Sequence, residues 1–225
     1  MKSRVLLGVV DFCPFVRSYP LGLDLLRRVQ APPWDKDQVL LRELNWGPIA
    51  IVQDFQAKPL NLTRAVLIAA TDRGDPANTV SCRRWQGGAL EPLDVQQRVF
   101  QAVTGTISLD NLLVIGEHFG IWPPEVLTVE VQLAQSNVGA FVMAELEAAR
   151  LPSSGIVGEQ PLSAEFDVVV DRIAELARRA VTKGAAGLPE LRPLTASQLT
   201  PIGPFCHTID VNEGMDQSQQ GAVRH

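Results

Sequence analysis

The hydrophobic positions of this sequence fall into two kinds of stretch that alternate along the chain. Short runs rich in apolar and β-branched residues predict strands at 4–10, 38–44, 65–70 and 126–133, with a more polar edge strand at 79–85. Apolar residues spaced three or four apart predict helices at 21–29, 48–58, 93–103, 108–119 and 163–180. Strands that alternate with helices favour a parallel sheet covered by helices.

The clearest local prediction is a helix followed by a strand between residues 107 and 134. Ser108 is a good N-cap, and Gly120 followed by Pro123 and Pro124 ends the helix. The strand that follows alternates two sets of side chains. One set is Val126, Thr128, Glu130 and Gln132, and the other, more apolar set is Leu127, Val129, Val131 and Leu133. We therefore expect this strand to lie in a sheet with a helix behind it.

Length and composition predict one domain with a tail. The chain has 225 residues, of which 46% are hydrophobic, enough for the core of one α/β domain. We expect a three-layer α/β/α sandwich with a mostly parallel central sheet over residues 1–183. Residues 184–225 have scattered prolines and glycines and little periodicity, which predicts a tail that is flexible or lies over a partner. A short ambiguous helix is possible at 141–149.

Charge and cysteine content exclude several classes of protein. The net charge of −5 and the absence of a long basic cluster argue against nucleic acid as a partner. The first strand-like run, RVLLGVV, has only seven residues, too few for a secretory signal or a membrane span, so we expect a cytoplasmic protein with no membrane insertion. Three widely spaced cysteines without a CxxC pair are typical of reduced thiols.

Three stretches resemble the hydrogenase maturation endopeptidases, which trim the C-terminus of the large subunit of nickel-iron hydrogenases. RVLLGVVD at 4–11 resembles the first strand of that family, which ends in LGxGN. ISLDNLL at 107–113, followed by PPEVLTVEVQ at 123–132, resembles its histidine-bearing helix and the next strand. LSA at 162–164 is similar to the LSP that opens its last helix. The resemblance covers residues 4 to about 181.

The resemblance implies a site at which Glu, Asp and His ligands read the nickel already loaded into the substrate. At the matching positions this sequence has Tyr19 for the Glu, Ala70 for the Asp and Asp110 for the His. The usual ligand set is therefore absent. Nickel, as part of the substrate, is implied by the resemblance only, and no cofactor of the chain itself follows from the sequence.

Three aspartates could form a divergent site instead. Asp11, Asp72 and Asp110 are each predicted near the carboxyl edge of the sheet, where they could bind a harder metal or do acid–base work. The alternative is structural: Asp11 and Asp72 are turn residues, and Asp110 favours a helix N-terminus through the helix dipole. No residue of the sequence is assigned as catalytic.

Two functional hypotheses follow from the resemblance. The first is an endopeptidase of hydrogenase maturation, a hydrolase with a divergent site that acts on the C-terminus of the large subunit or its precursor. The second is a pseudoenzyme that keeps the fold and binds a hydrogenase subunit as an assembly chaperone. The absence of the usual ligands favours the second hypothesis on mechanistic grounds, and peptidase activity itself stays undecided.

Overall fold

The computed structural model describes residues 4–13, 19–31, 33–104, 108–132 and 164–199. Within these residues the strands are β1 (Arg4–Val10), β2 (Val39–Leu44), β3 (Leu62–Thr71), β4 (Val80–Trp85), β5 (Glu125–Gln132) and β6 (Arg192–Leu194). The helices are α1 (Leu23–Gln30), α2 (Pro48–Ala57), α3 (Pro92–Val103), α4 (Leu109–His118) and α5 (Ala164–Lys183). The predicted helix at 141–149, Ser163 and Leu133 lie outside the described residues.

The strands form one sheet in the order β2-β1-β3-β5-β4-β6. Strands β2, β1, β3 and β5 are parallel to one another, while β4 runs antiparallel to β5 and parallel to β6. Because β1, β3 and β5 are inside the sheet and covered on both faces, β1 and most of β3 are apolar, whereas β5 also buries the polar residues Thr128, Glu130 and Gln132. The mostly parallel sheet predicted from the sequence is confirmed.

Helices cover both faces of the sheet, so the three-layer α/β/α architecture is also confirmed. On one face α1 and α5 pack against β1, β3 and β5 in a single apolar cluster. On the other face α2 and α4 pack against the opposite side of the same strands. Helix α3 lies against α2 and α4, outside this second layer. No helix among the described residues has the length and hydrophobicity needed to span a membrane.

The folded part of the chain extends past residue 183, where the sequence analysis placed the start of the tail. Residues Gly184–Gly187 form a 3₁₀ turn, and β6 then pairs with β4, with Leu194 opposite Trp85. Leu194 is fully buried. A three-residue strand is too short to give a periodic signal, and Pro193 argues against a strand anywhere but at a sheet edge. Residues 184–199 therefore belong with the domain.

Helix α3 packs on the second layer through a face that mixes apolar and charged residues. Its buried residues are Arg98 and Ala102, and Val95 and Val99 are partly buried beside them, whereas Val103 at the helix end is 71% exposed. Arg98 lies on this face because its guanidinium bonds Asn111 of α4. A charged group can share an apolar face when it has a hydrogen-bonding partner there.

Candidate functional site

The carboxyl ends of β1, β3 and β5 bring together the polar groups of the molecule's core. Parallel strands end at the same sheet edge, which is where α/β folds usually place their ligands. Asp11 follows β1, Thr71 ends β3, and Gln132 ends β5. The N-terminus of α4 lies at this edge as well, since its Asp110 contacts the turn after β3.

Arg73, in the turn after β3, is the centre of this arrangement. Its Nη2 donates to Oδ1 of Asp110 at 2.6 Å, and its Nη1 donates to Oδ2 of the same carboxylate at 3.0 Å. Its Nε donates to Oε2 of Glu130 at 2.9 Å. The side chains of Arg73, Asp110 and Glu130 are only 6%, 9% and 1% exposed. One guanidinium thus bridges two buried carboxylates in the fork geometry that gives the strongest protein ion pairs.

The electrostatics of Arg73 follow from this pairing. Desolvation alone would lower the pKa of Arg73, but its hydrogen bonds and the charges of Asp110 and Glu130 raise that pKa overall. The guanidinium therefore stays charged at any pH at which the protein is folded. It carries a permanent positive charge between α4 and β5.

Glu130 is held by neighbours on three strands. Thr128 Oγ1 donates to its Oε1 at 2.6 Å, and Thr71 Oγ1 donates to its Oε2 at 3.0 Å. Arg83 of β4 adds an ion-pair contact of 3.6 Å to Oε2 and bonds Asp75 at 3.3 Å. Both carboxylate oxygens of Glu130 are thus bonded within the protein, which offsets the cost of burying the charge.

Asp110 is positioned by the start of α4. Ser108 caps the helix, its Oγ accepting from the backbone N–H of Asn111 at 3.1 Å, as the sequence predicted. Asp110 lies in the first helical turn, where the helix dipole favours a negative charge. Next to it, the Asn111 amide accepts from Nη1 of Arg98 at 3.1 Å. Burial lowers the pKa of Arg98, although the charges of Asp110 and Asp94 oppose that shift.

Asp72 takes part in the turn after β3 and does not join Asp110. Its Oδ1 accepts from Nε2 of Gln132 at 3.0 Å and from the N–H of Gly74 at 3.3 Å. Gln132 in turn accepts from the backbone N–H of Arg73 at 2.7 Å. These bonds fix the turn to the end of β5, and so they aim the Arg73 side chain at its carboxylates.

Asp11 lies at the same edge, after β1, in a more apolar setting. Its φ of 59° is in the left-handed region, which aspartate tolerates better than most residues. Burial raises the pKa of Asp11 to about 7. Tyr19 is 1% exposed, and burial together with the charges of Asp11 and Cys13 raises its pKa as well. Burial thus brings the pKa of the Asp11 carboxyl group close to neutral pH.

Comparison with known proteins gives structural likenesses only. No protein-family model and no curated protein sequence matches this chain. In its fold the chain is similar to hydrogenase maturation proteases. A hydrogenase 3 maturation protease has a TM-score of 0.44 and 14% identity, covering 85% of this chain and 96% of its own. A hydrogenase 2 maturation peptidase from Thaumarchaeota archaeon SCGC_AB-539-E09 has a TM-score of 0.42 and 16% identity, and the match covers 80% of this chain and 98% of that one. The endopeptidase HycI from Escherichia coli has a TM-score of 0.42 and 14% identity, and the match covers 87% of this chain and 98% of that one.

The residues at this edge do not fit the metal that the sequence resemblance implies. Among the described residues, no three His, Cys, Asp or Glu side chains come together as a metal-binding group, so Asp11, Asp72 and Asp110 do not converge. Tyr19 is buried in the apolar cluster with α1, and Ala70 has no donor atom. Both oxygens of Asp110 are bonded to Arg73. Asp110 therefore offers a metal ion no oxygen that is not already bonded to Arg73.

Two residues of the site, Arg73 and Glu130, were missed by the sequence analysis. Glu130 carried a usable signal, because a glutamate in the middle of a strand covered on both faces must be buried and hence paired. Thr128 and Gln132 on the same side of β5 extend that polar stripe. Arg73 gave no such signal, since an arginine in a turn dense with Asp, Gly and Pro is usually exposed.

Proposed function

We propose that this protein works in the maturation of nickel-iron hydrogenase, as a relative of the maturation endopeptidases that acts on the C-terminal region of the large subunit. Its partner is the large subunit or its precursor, and the compartment we expect is the cytoplasm. The observation that carries the proposal is where the resembling stretches lie in the fold.

Two of those stretches are distant in the sequence and reach the same edge of the sheet. RVLLGVVD forms β1 and the turn at Asp11, and PPEVLTVEVQ leads into and forms β5. Strands β1 and β5 are the two neighbours of β3, and α4, which contains most of ISLDNLL, begins at their carboxyl edge. These resembling segments thus meet at one sheet edge, the part of the fold expected to receive a substrate.

A second candidate is a binding protein that holds the large subunit without cutting it. The bonding of Asp110 favours it, because a carboxylate with both oxygens on a buried guanidinium is a poor metal ligand and a poor proton acceptor. A pseudoenzyme of this kind would use the sheet edge as a contact surface and act as an assembly chaperone.

Mass spectrometry of a mixture with nickel-loaded large-subunit precursor separates the two candidates. Loss of a C-terminal peptide from the precursor would establish the endopeptidase, and a stable complex with an uncut precursor would establish the binding protein. If the precursor is neither cleaved nor bound, the proposed function is overturned.

Three variants make that experiment specific to the site. Asp110→Ala removes the buried carboxylate, and Asp72→Ala removes an exposed one from the same edge. Glu91→Ala, an exposed carboxylate before α3, is the matched control. A cleavage that Asp110→Ala or Asp72→Ala abolishes, while Glu91→Ala retains it, places the chemistry at the sheet edge. Thermal melting of each variant separates lost activity from lost folding.

A further inference from the structure

The buried carboxylates at the carboxyl edge are arranged around a single positive centre. Both oxygens of Asp110 and one oxygen of Glu130 lie within hydrogen-bond distance of the Arg73 guanidinium, at 2.6, 3.0 and 2.9 Å. The hydroxyl groups of Thr71 and Thr128 donate to the Glu130 carboxylate and hold it in place. Carboxylate oxygens that converge in this way are the ligands that hard divalent cations prefer. Here the cation is part of the chain.

A metal ion could reach these oxygens only by expelling the guanidinium. The Arg73 side chain is 6% exposed, so an expelled guanidinium would have to leave the interior or stay beside the metal as a like charge. The turn that carries Arg73 is also fixed to β5, through the bond from its backbone N–H to Gln132. The structure thus opposes exchange of this cation for another.

We propose that Arg73 is the resident cation of this site, and that the protein recognises its partner's C-terminal region without a metal ion at Asp110. The second half of this inference rests on the proposed function. It gives that function a specific property: nickel in the large subunit is not read through Asp110, so any difference in affinity between the loaded and the nickel-free precursor is the same in the wild type and in Asp110→Asn.

Titration of the protein with Ni²⁺ by calorimetry tests the first half without reference to hydrogenase. The proteins compared are the wild type, Asp110→Asn, Arg73→Met and the Arg73→Met/Asp110→Asn double variant. We expect the wild type and Asp110→Asn to give the same titration, because Asp110 is already occupied. Arg73→Met frees the carboxylates and should gain binding at least about tenfold tighter, which the double variant loses.

Two results would overturn the first half of the proposal. One is that the wild-type protein binds one equivalent of Ni²⁺ and that Asp110→Asn abolishes this binding, since the site would then already accept a metal ion. The other is a folded Arg73→Met protein that gains no binding, since the guanidinium would then not be filling a cation position. If Arg73→Met does not fold, Arg73→Lys replaces it, because one ammonium cannot bridge both carboxylates. A folded Arg73→Lys protein that gains no binding would overturn the proposal in the same way, and the comparison of wild type with Asp110→Asn applies whichever variant folds.

Binding to the large-subunit precursor, loaded with nickel or free of it, tests the second half. We expect the ratio of the two dissociation constants to agree within about threefold between the wild type and Asp110→Asn. A wild-type preference of about tenfold or more for the loaded form that Asp110→Asn removes would overturn the inference while leaving the proposed function intact. Failure to bind either form would instead remove the proposed function and leave the Ni²⁺ titration as the test of Arg73.

Discussion

Asp11 follows β1 and has a half-buried carboxyl group, and replacing it with asparagine should stabilise the protein at alkaline pH but not at acidic pH. Burial raises the pKa of Asp11 from 3.8 to about 7 in the folded protein. The folded state therefore binds more protons than the unfolded chain between these two values. Its stability is highest when the carboxyl group is neutral and falls as the pH rises towards 7.

The size of the effect follows from the shift in pKa. A difference of about three pKa units corresponds to about 4 kcal/mol, which is an upper limit. The side chain is only half-buried, so water reaches part of the carboxylate and we expect about 2 kcal/mol. Asparagine has the same shape, no charge, and a similar tolerance of the left-handed φ of 59° at this position. Alanine would add backbone strain and is a poorer substitution.

Urea denaturation of the wild type and Asp11→Asn at several pH values measures this prediction. At pH 8 we expect the variant to be more stable by about 2 kcal/mol, and near pH 4 the two proteins should differ by less than about 0.5 kcal/mol. A stability difference that does not change between these pH values would refute the reasoning, because it would mean that the Asp11 carboxyl group titrates alike in both states.

Three further predictions concern packing, capping and the buried ion pair. A Cβ at Gly116 would lie 2.4 Å from Nε1 of Trp122, so Gly116→Ala should lower the melting midpoint by an amount equivalent to about 1–3 kcal/mol. Gly47→Ala is the control, because a Cβ there would have no contact under 3.6 Å and should leave the midpoint unchanged. Equal effects of the two substitutions would contradict the predicted clash at Gly116. Ser108→Ala removes the cap of α4 and should cost about 1 kcal/mol in urea denaturation, with Ser108→Asp retaining most of the stability; equal losses would rule out the cap. Arg73→Met removes the guanidinium shared by two buried carboxylates and should cost about 3–5 kcal/mol, whereas a loss below about 1 kcal/mol would show that the pair adds little.

The sequence by itself determined the elements whose cause is local. Strand β1 runs over Arg4–Val10 as its apolar run predicted, and the predicted β5 begins one residue early, at Glu125. Helix α4 starts after Ser108 because the capping hydroxyl is encoded next to the backbone N–H it accepts from. The alternation of these elements also determined the three-layer class, since parallel strands need helical crossovers between them.

The tertiary structure decided what depends on contacts between distant parts of the chain. The sequence placed Asp110 at a helix N-terminus, but only the fold set it against Arg73, 37 positions earlier, and set Arg73 against Glu130, 57 positions later. The inward turn of Arg98 and the pairing of β6 with β4 arose in the same way. Local patterns record which residues prefer water, whereas a buried charge is stabilised by a partner that only the folded chain brings within reach.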